Sequence, residues 1–450
     1  MKLFSTKKCC LLFTVLTILV CAAVSFADDI PKKNQREALK SFNAGNKLLQ
    51  QGKAEEALIN YTKAIELNPT LQDAYFNRAS IYKELGRIDD AIADFSKVIE
   101  LKPDADVYLN RAYLYSQKGK LDEAASDFGK YIEFNPAAPS DIYYNRGIIY
   151  YSKNNYDPAI NDFSKTIELN PAFADAYKNR GFAYFGKGQY DNSIKDFNKA
   201  IEMGPPSDKL YFGRGIANFG KQDFDPAISD LTKALEMDPT SVNAYLIRGQ
   251  AYLGKKDYDP AISDFTKVLE KSPKTAAAYS YRGNAYLSKQ SYDMAISDFT
   301  KAIELNPKAG EAYYSRASIY WARENKEAAV ADFTKALEIN PGYINAYTCL
   351  GDYYNEETKQ FDLALQNYNK AIELSPKNGK LYVYRAVVYW KMKDYQKSWD
   401  NVNQAKSLGE TVDQSFLDFL ERDSNPNKEP APPPAKQADP KPPKNSKPKK

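Results

Sequence analysis

Apolar residues along the chain recur in paired stretches, each with the three- and four-residue spacing of one helix face. One member of a pair reads like YFNRASIYKELG, from Tyr75 to Gly86, and the other like DDAIADFSKVIELKP, from Asp89 to Pro103. Prolines close the pairs: Pro69, Pro103, Pro136, Pro171, Pro205, Pro239, Pro273, Pro307, Pro341 and Pro376 lie 33 to 35 residues apart. The pattern therefore predicts two amphipathic helices per unit of about 34 residues. A single unit cannot bury its apolar face, so the units must stack into a solenoid.

Local signals agree with two helices per unit. Asp157-Pro158, Asp225-Pro226 and Asp259-Pro260 read as a capping acid ahead of a proline at the first helical position. Ala91/Phe95, Ala159/Phe163 and Ala261/Phe265 place a small residue and an aromatic one turn apart on a common face. In the fifth unit Tyr177, Gly181, Tyr184, Phe197, Ala200 and Pro205 match the pattern of the tetratricopeptide repeat family, with Ser193 in place of the usual Ala. The chain resembles that family over about eleven units, from near Ala38 to near Gly409. The resemblance implies an all-α, right-handed superhelical solenoid of helix-turn-helix repeats. A C-terminal capping helix is expected over residues 411–423, preceded by repeats over 38–410 and a lead-in over 28–37.

One column departs from the family pattern. Nine units carry Arg where an apolar residue is usual, among them Arg78, Arg146, Arg180, Arg248 and Arg282. The residue before the second-helix aromatic is Asp in repeats two to nine, including Asp94, Asp162, Asp196, Asp264 and Asp298. Where Arg is missing, at Ala44 and Leu350, the partner column holds Asn60 or Asn367. The matching predicts structural Arg–Asp pairs bridging the two helices of one repeat; the competing reading is surface charge copied with each duplicated unit.

The chain ends differ from the array. Residues 1–27 run from Lys2, Lys7 and Lys8 through an apolar stretch to Ser25-Phe26-Ala27, the layout of a signal peptide for export to a periplasm or secretion. An uncleaved signal anchor tethering the protein to a membrane is the alternative. From residue 424 to 450, nine Pro and seven Lys with few apolar groups predict a disordered or polyproline-like tail. The net charge of +4 contains +3 from the leader and +5 from this tail, so residues 28–423 carry −4. A mildly acidic body argues against nucleic-acid binding.

Candidate chemistry is sparse. The 450 residues include no His, which excludes Ser-His-Asp and Cys-His hydrolases and His-ligated metal sites. Three of the four Cys lie in the leader, leaving Cys349, read as a small half-buried residue. GFAYFGK, GIANFGK and GQAYLGK, starting at Gly181, Gly215 and Gly249, fit GxxxxGK but lack the preceding strand and following Ser or Thr of a phosphate loop. No cofactor, metal or catalytic residue is implied.

The resemblance instead implies protein binding, with a peptide or helix held in the groove of the first helices. Tyr113, Tyr144, Ile148, Tyr151, Phe182, Phe185, Phe212, Ile216 and Phe219 fall on or beside that groove in repeats three to six, whereas repeat ten has Thr348, Asp352 and Asn355 there. Packing between neighbouring repeats is the other reading for each ring. The family's clamp for a chaperone's C-terminal carboxylate is not supported, since only Asn46 and Asn77 among Phe42, Asn46, Asn77, Asp106 and Asn110 match it. The expectation is a non-enzymatic scaffold. A second reading is an envelope-associated assembly factor whose basic tail contacts anionic lipid or wall polymer, and self-association stays open.

Overall fold

The computed structural model describes residues 30–425; the expected signal peptide and nearly all of the tail lie outside them. The described residues form 23 helices, from Lys32–Gln50 to Gln414–Ser424, and no strand. None of these helices is long and apolar enough to cross a membrane. The chain divides into two compact units, 1–240 and 241–450. Repeats one to six fall in the first, and repeats seven to eleven with the terminal helix fall in the second.

Repeat five shows the common plan, with a first helix Ala174–Gly186 and a second helix Tyr190–Met203. A residue with positive φ reverses the chain between the helices: Gly86 and Gly188 both have φ +71°, a conformation that glycine adopts without steric cost. Second helices end two residues before the repeat proline, as Leu101 precedes Pro103, because the residue before a proline avoids helical geometry.

Three boundaries differ from those read in the sequence. Within the described residues the lead-in is helical from Lys32 and runs unbroken into repeat one; the Lys, Gln, Arg and Glu residues after Pro31 are good helix formers and nothing interrupts them. The terminal helix starts at Gln414, capped by Asp413, whose carboxylate accepts the Phe416 N–H at 3.2 Å. Asp157 is not the cap of its helix, which begins at Tyr156. Pro158 is tolerated two residues inside because N–H groups of the first turn have no intrahelical partner. Asp157 instead pairs with Lys187 of the next repeat.

In most repeats the core is small residues packed on one ring, with Leu231 and Val402 taking the ring's place in repeats six and eleven. Ala91, Ala159, Phe95 and Phe163 are fully buried. A Cβ on Gly147 would come within 2.8 Å of the Phe163 ring, so the ring takes the space of a side chain. Ser193 replaces the usual Ala because its hydroxyl donates to the Gly181 carbonyl at 2.8 Å, which satisfies a buried polar group.

The Arg column lies between the two helices. Arg78 donates from Nε to Asp94 Oδ2 at 2.7 Å and from Nη2 to Oδ1 at 2.8 Å. The same fork joins Arg146 to Asp162, Arg180 to Asp196, Arg248 to Asp264 and Arg282 to Asp298, with Nε–Oδ2 distances of 2.7 to 2.8 Å. Tyr177 and Tyr184 flank Arg180, their ring centres 5.7 and 5.8 Å from the guanidinium carbon. Burial works against the Arg180 charge, but hydrogen bonding and attraction to Asp196 outweigh it and raise its pKa.

A third contact of this arginine reaches the preceding repeat. Arg78 Nη1 donates to Thr62 Oγ1, Arg180 Nη1 to Ser164 Oγ and Arg316 Nη1 to Thr300 Oγ1, at 2.8 to 3.0 Å. One side chain thus ties three helices from two repeats.

Candidate functional site

The candidate binding residues lie along the first helices of repeats three to six, within the first unit. Their surroundings separate them into two groups. Tyr151, Phe185 and Phe219 each pack 5.8 to 6.1 Å from the ring that opens the second helix of the same repeat, Tyr156, Tyr190 and Phe224 respectively. Tyr156 and Tyr190 in turn cover Gly186 and Gly220 of the following repeat so closely that a Cβ there would come to 2.5 or 2.6 Å. Phe182 meets Phe197 edge-on at 4.9 Å and covers Gly213 of repeat six. Phe182 thus fills a junction between repeats, while Tyr151, Phe185 and Phe219 back the second-helix rings of their own repeats. Ile148, Phe212 and Ile216 are half-buried on the same helices.

Tyr113 and Tyr144 form the second group. Tyr113 is 43% exposed and stands edge-on to Phe128 at 5.3 Å. Its hydroxyl oxygen accepts from Asn145 Nδ2 of the next repeat at 3.3 Å, and that of Tyr144 accepts from Asn179 Nδ2 at 2.8 Å. Burial raises the pKa of both phenols, so each stays protonated at neutral pH and carries an O–H for a further acceptor.

These contacts bring out a column of which the sequence reading weighed only Asn77 and Asn110, as clamp positions. Asn77, Asn110, Asn145 and Asn179 each precede the Arg of their repeat, and all four are half-buried on the first-helix face. Asn77 donates to Asn46 Oδ1 at 2.9 Å, and Asn110 accepts from Lys83 Nζ at 2.7 Å. The available signal was the same residue type at one position in four successive repeats. The two Asn that matched the carboxylate clamp are thus bonded to each other.

The remaining sequence candidates have plain surroundings. Gly181 to Gly186 of the first GxxxxGK match lie inside a helix, and its Lys187 is paired with Asp157. Cys349 is half-buried, and burial with the nearby Asp352 charge pushes its thiol up to about 11. A thiol held neutral in this way is a weak nucleophile. Asp352 and Asn355 of repeat ten lie one turn apart on the same helix.

Tetratricopeptide repeat models match residues 73–104, 174–205, 276–309 and 310–343, with further matches at 105–137 and 212–276. A TPR repeat model also matches 45–86, 147–188 and 357–393. No curated protein matches the chain. Among solved structures it is similar to YrrB, described as a TPR protein with an unusual peptide-binding site: identity is 27%, covering 43% of this chain and 99% of that one, with a TM-score of 0.39. Yeast Tom70 is 19% identical, covering 86% of this chain and 96% of its own, with a TM-score of 0.36. MamA is 30% identical, covering 37% and 96%, with a TM-score of 0.34. Together the matched segments span more than half of the sequence, and the chain belongs to the tetratricopeptide repeat family, whose arrays generally serve as non-catalytic scaffolds for binding other proteins.

Proposed function

We propose that the first-helix face of repeats two to five holds an extended peptide segment of a partner protein. The observation that carries this reading is the asparagine column alongside the exposed Tyr113 and the half-buried Tyr144. An extended peptide exposes N–H and C=O groups along its length, and a carboxamide can serve both because it donates and accepts. Tyrosine adds apolar contact together with a hydroxyl, the mixed character common in protein interfaces. Preorganisation supports affinity here: Asn145 and Asn179 are already oriented by the tyrosine hydroxyls, so less side-chain freedom is lost on binding.

The emphasis differs from the one drawn from sequence. Phe182 is packed over Gly213 of repeat six, and Phe185 backs Tyr190, which covers Gly220 of that repeat, so their contribution to binding would be indirect, through the spacing of the repeats. Selection of a random peptide library on the purified full-length protein tests the proposal. Selected peptides that compete for one site and lose affinity in Asn145→Ala would support it. Peptides that bind the variant as tightly as the parent would contradict it.

A further inference from the structure

Repeats one and ten depart from the Arg–Asp lattice in the same way. Both lack the Arg and the Asp, and both have Tyr, Tyr61 or Tyr368, as the second-helix ring. Its hydroxyl replaces the ion pair as the link between helices, donating to Asn46 Oδ1 at 2.7 Å and to Asp352 Oδ1 at 2.6 Å. Gly45 and Gly351 admit the rings, since a Cβ would come to 2.8 or 2.6 Å from them. The link is made once with a neutral amide and once with a carboxylate. The negative charge of Asp352 is therefore not needed to join the helices.

A half-buried carboxylate bonded only to a neutral phenol is unfavourable unless a cation is at hand. Among the described residues the neighbouring cations are already engaged: Lys326 pairs with Glu357 at 2.7 Å and Glu324 at 3.4 Å, and Lys391 pairs with Glu356 at 2.7 Å. One turn along from Asp352, Asn355 is 4% exposed; its Nδ2 donates to Glu356 Oε1 while its Oδ1 has no hydrogen-bond partner among the described residues. Tyr384 of repeat eleven is 38% exposed, with its ring centre 5.9 Å from that of Tyr368. An unneutralised carboxylate, an unfilled amide oxygen and an open ring suit an ammonium group, which brings three N–H donors and a charge attracted to aromatic faces.

Residues 426–450 supply such groups, with seven Lys and nine Pro. They follow directly on the terminal helix, whose Leu420 packs with Val402 and Ala405 of repeat eleven. A segment of 25 residues can reach up to about 80 Å when extended, so length is no obstacle. Pro-rich segments also dock on aromatic surfaces at low entropic cost. We propose that residues 426–450 dock on repeat ten of their own chain, with a lysine ammonium held by Asp352 and Asn355 against Tyr384.

Carbodiimide coupling of the full chain, mixed as isotopically heavy and light copies, tests this. The expected product joins Asp352 or Glu356 to a lysine of 426–450 within one copy. Links between copies, or none to these two carboxylates, would overturn the proposal. Asp352→Asn should keep the Tyr368 link, as Asn46 does, and so leave the fold intact. A Lys-specific protease should then cut within 426–450 about tenfold faster, the loss expected for one charge-assisted hydrogen bond. Salt at about 1 M should speed cutting of the parent in the same way by screening the contact. Equal cutting of parent and variant would also overturn the proposal.

Discussion

Arg180 grips Asp196 with two parallel hydrogen bonds, Nε to Oδ2 at 2.7 Å and Nη2 to Oδ1 at 2.8 Å, while its third nitrogen reaches Ser164 of the preceding repeat at 2.9 Å. The side chains of Arg180 and Asp196 are 18% and 5% exposed, so neither charge could be left alone without cost. Arg180→Ala should destabilise the protein by about 3–5 kcal/mol, the usual loss when one partner of a buried pair is removed. Replacing both, as Arg180→Met with Asp196→Leu, should cost much less. Because repeat arrays yield locally, hydrogen exchange in repeats four to six should report the loss before global melting does. An unchanged exchange pattern in Arg180→Ala would favour the reading of copied surface charge.

Arg146 offers the converse test. The residue that would supply its third contact is Gly129, and a Cβ there would sit 3.5 Å from Arg146 Nη1, an ordinary contact distance. Gly129→Ala should stabilise the helix Leu121–Phe134 by about 1 kcal/mol through propensity alone. Gly129→Ser gains less from propensity but restores a hydroxyl, worth about 1.5 kcal/mol or more against a charged donor. The serine variant should therefore be at least as stable in urea as the alanine variant. A serine variant weaker than alanine would mean that the hydroxyl does not complete the contact.

Gly213 tests the junction between repeats five and six. A Cβ there would come to 2.4 Å from the fully buried Phe197 ring and 3.1 Å from Phe182. Gly213→Ala should cost about 1–3 kcal/mol by overpacking, despite the better helix propensity of alanine. Chemical denaturation reads the sign directly, and a stabilised variant would show that the rings are free to move aside.

Cys349 gives a pH dependence. Burial, with Asp352 next, lifts its thiol from 9.0 to about 11, so at neutral pH it holds about a hundredfold less thiolate than an ordinary cysteine. Alkylation of the Cys349 peptide, followed by mass spectrometry, should be correspondingly slow and accelerate about tenfold per pH unit until close to 11. The folded state keeps a proton that the unfolded state releases above 9, so this group's contribution to stability falls as pH rises through that window. A rate that levels off near pH 9 would contradict the shift.

The legible part of the fold was whatever repeats in one column. Proline spacing fixed the period, and Arg matched to Asp within each unit pointed to the pair 16 residues away, Arg180 with Asp196. Contacts to neighbouring repeats were harder to read because their columns tolerate several residue types: Thr62, Ser164 and Asn198 all receive an arginine nitrogen. The candidate face was legible as aromatic, but sequence could not separate Phe182, closed over Gly213, from Tyr113, open to its surroundings. That difference depends on how one repeat meets the next. The start at Lys32 was missed because helix propagation has no end signal there beyond Pro31.

The central claim is that the asparagine column binds a partner's backbone. Titration calorimetry of one library-selected peptide against the parent and the Asn145→Ala, Asn179→Ala double variant tests it most directly. Loss of two hydrogen bonds of about 1 kcal/mol each predicts affinity weaker by about tenfold or more; because the same substitutions remove the bonds to the Tyr113 and Tyr144 hydroxyls, the titration is run well below the melting temperature of the double variant. Equal affinity for parent and double variant would contradict the account.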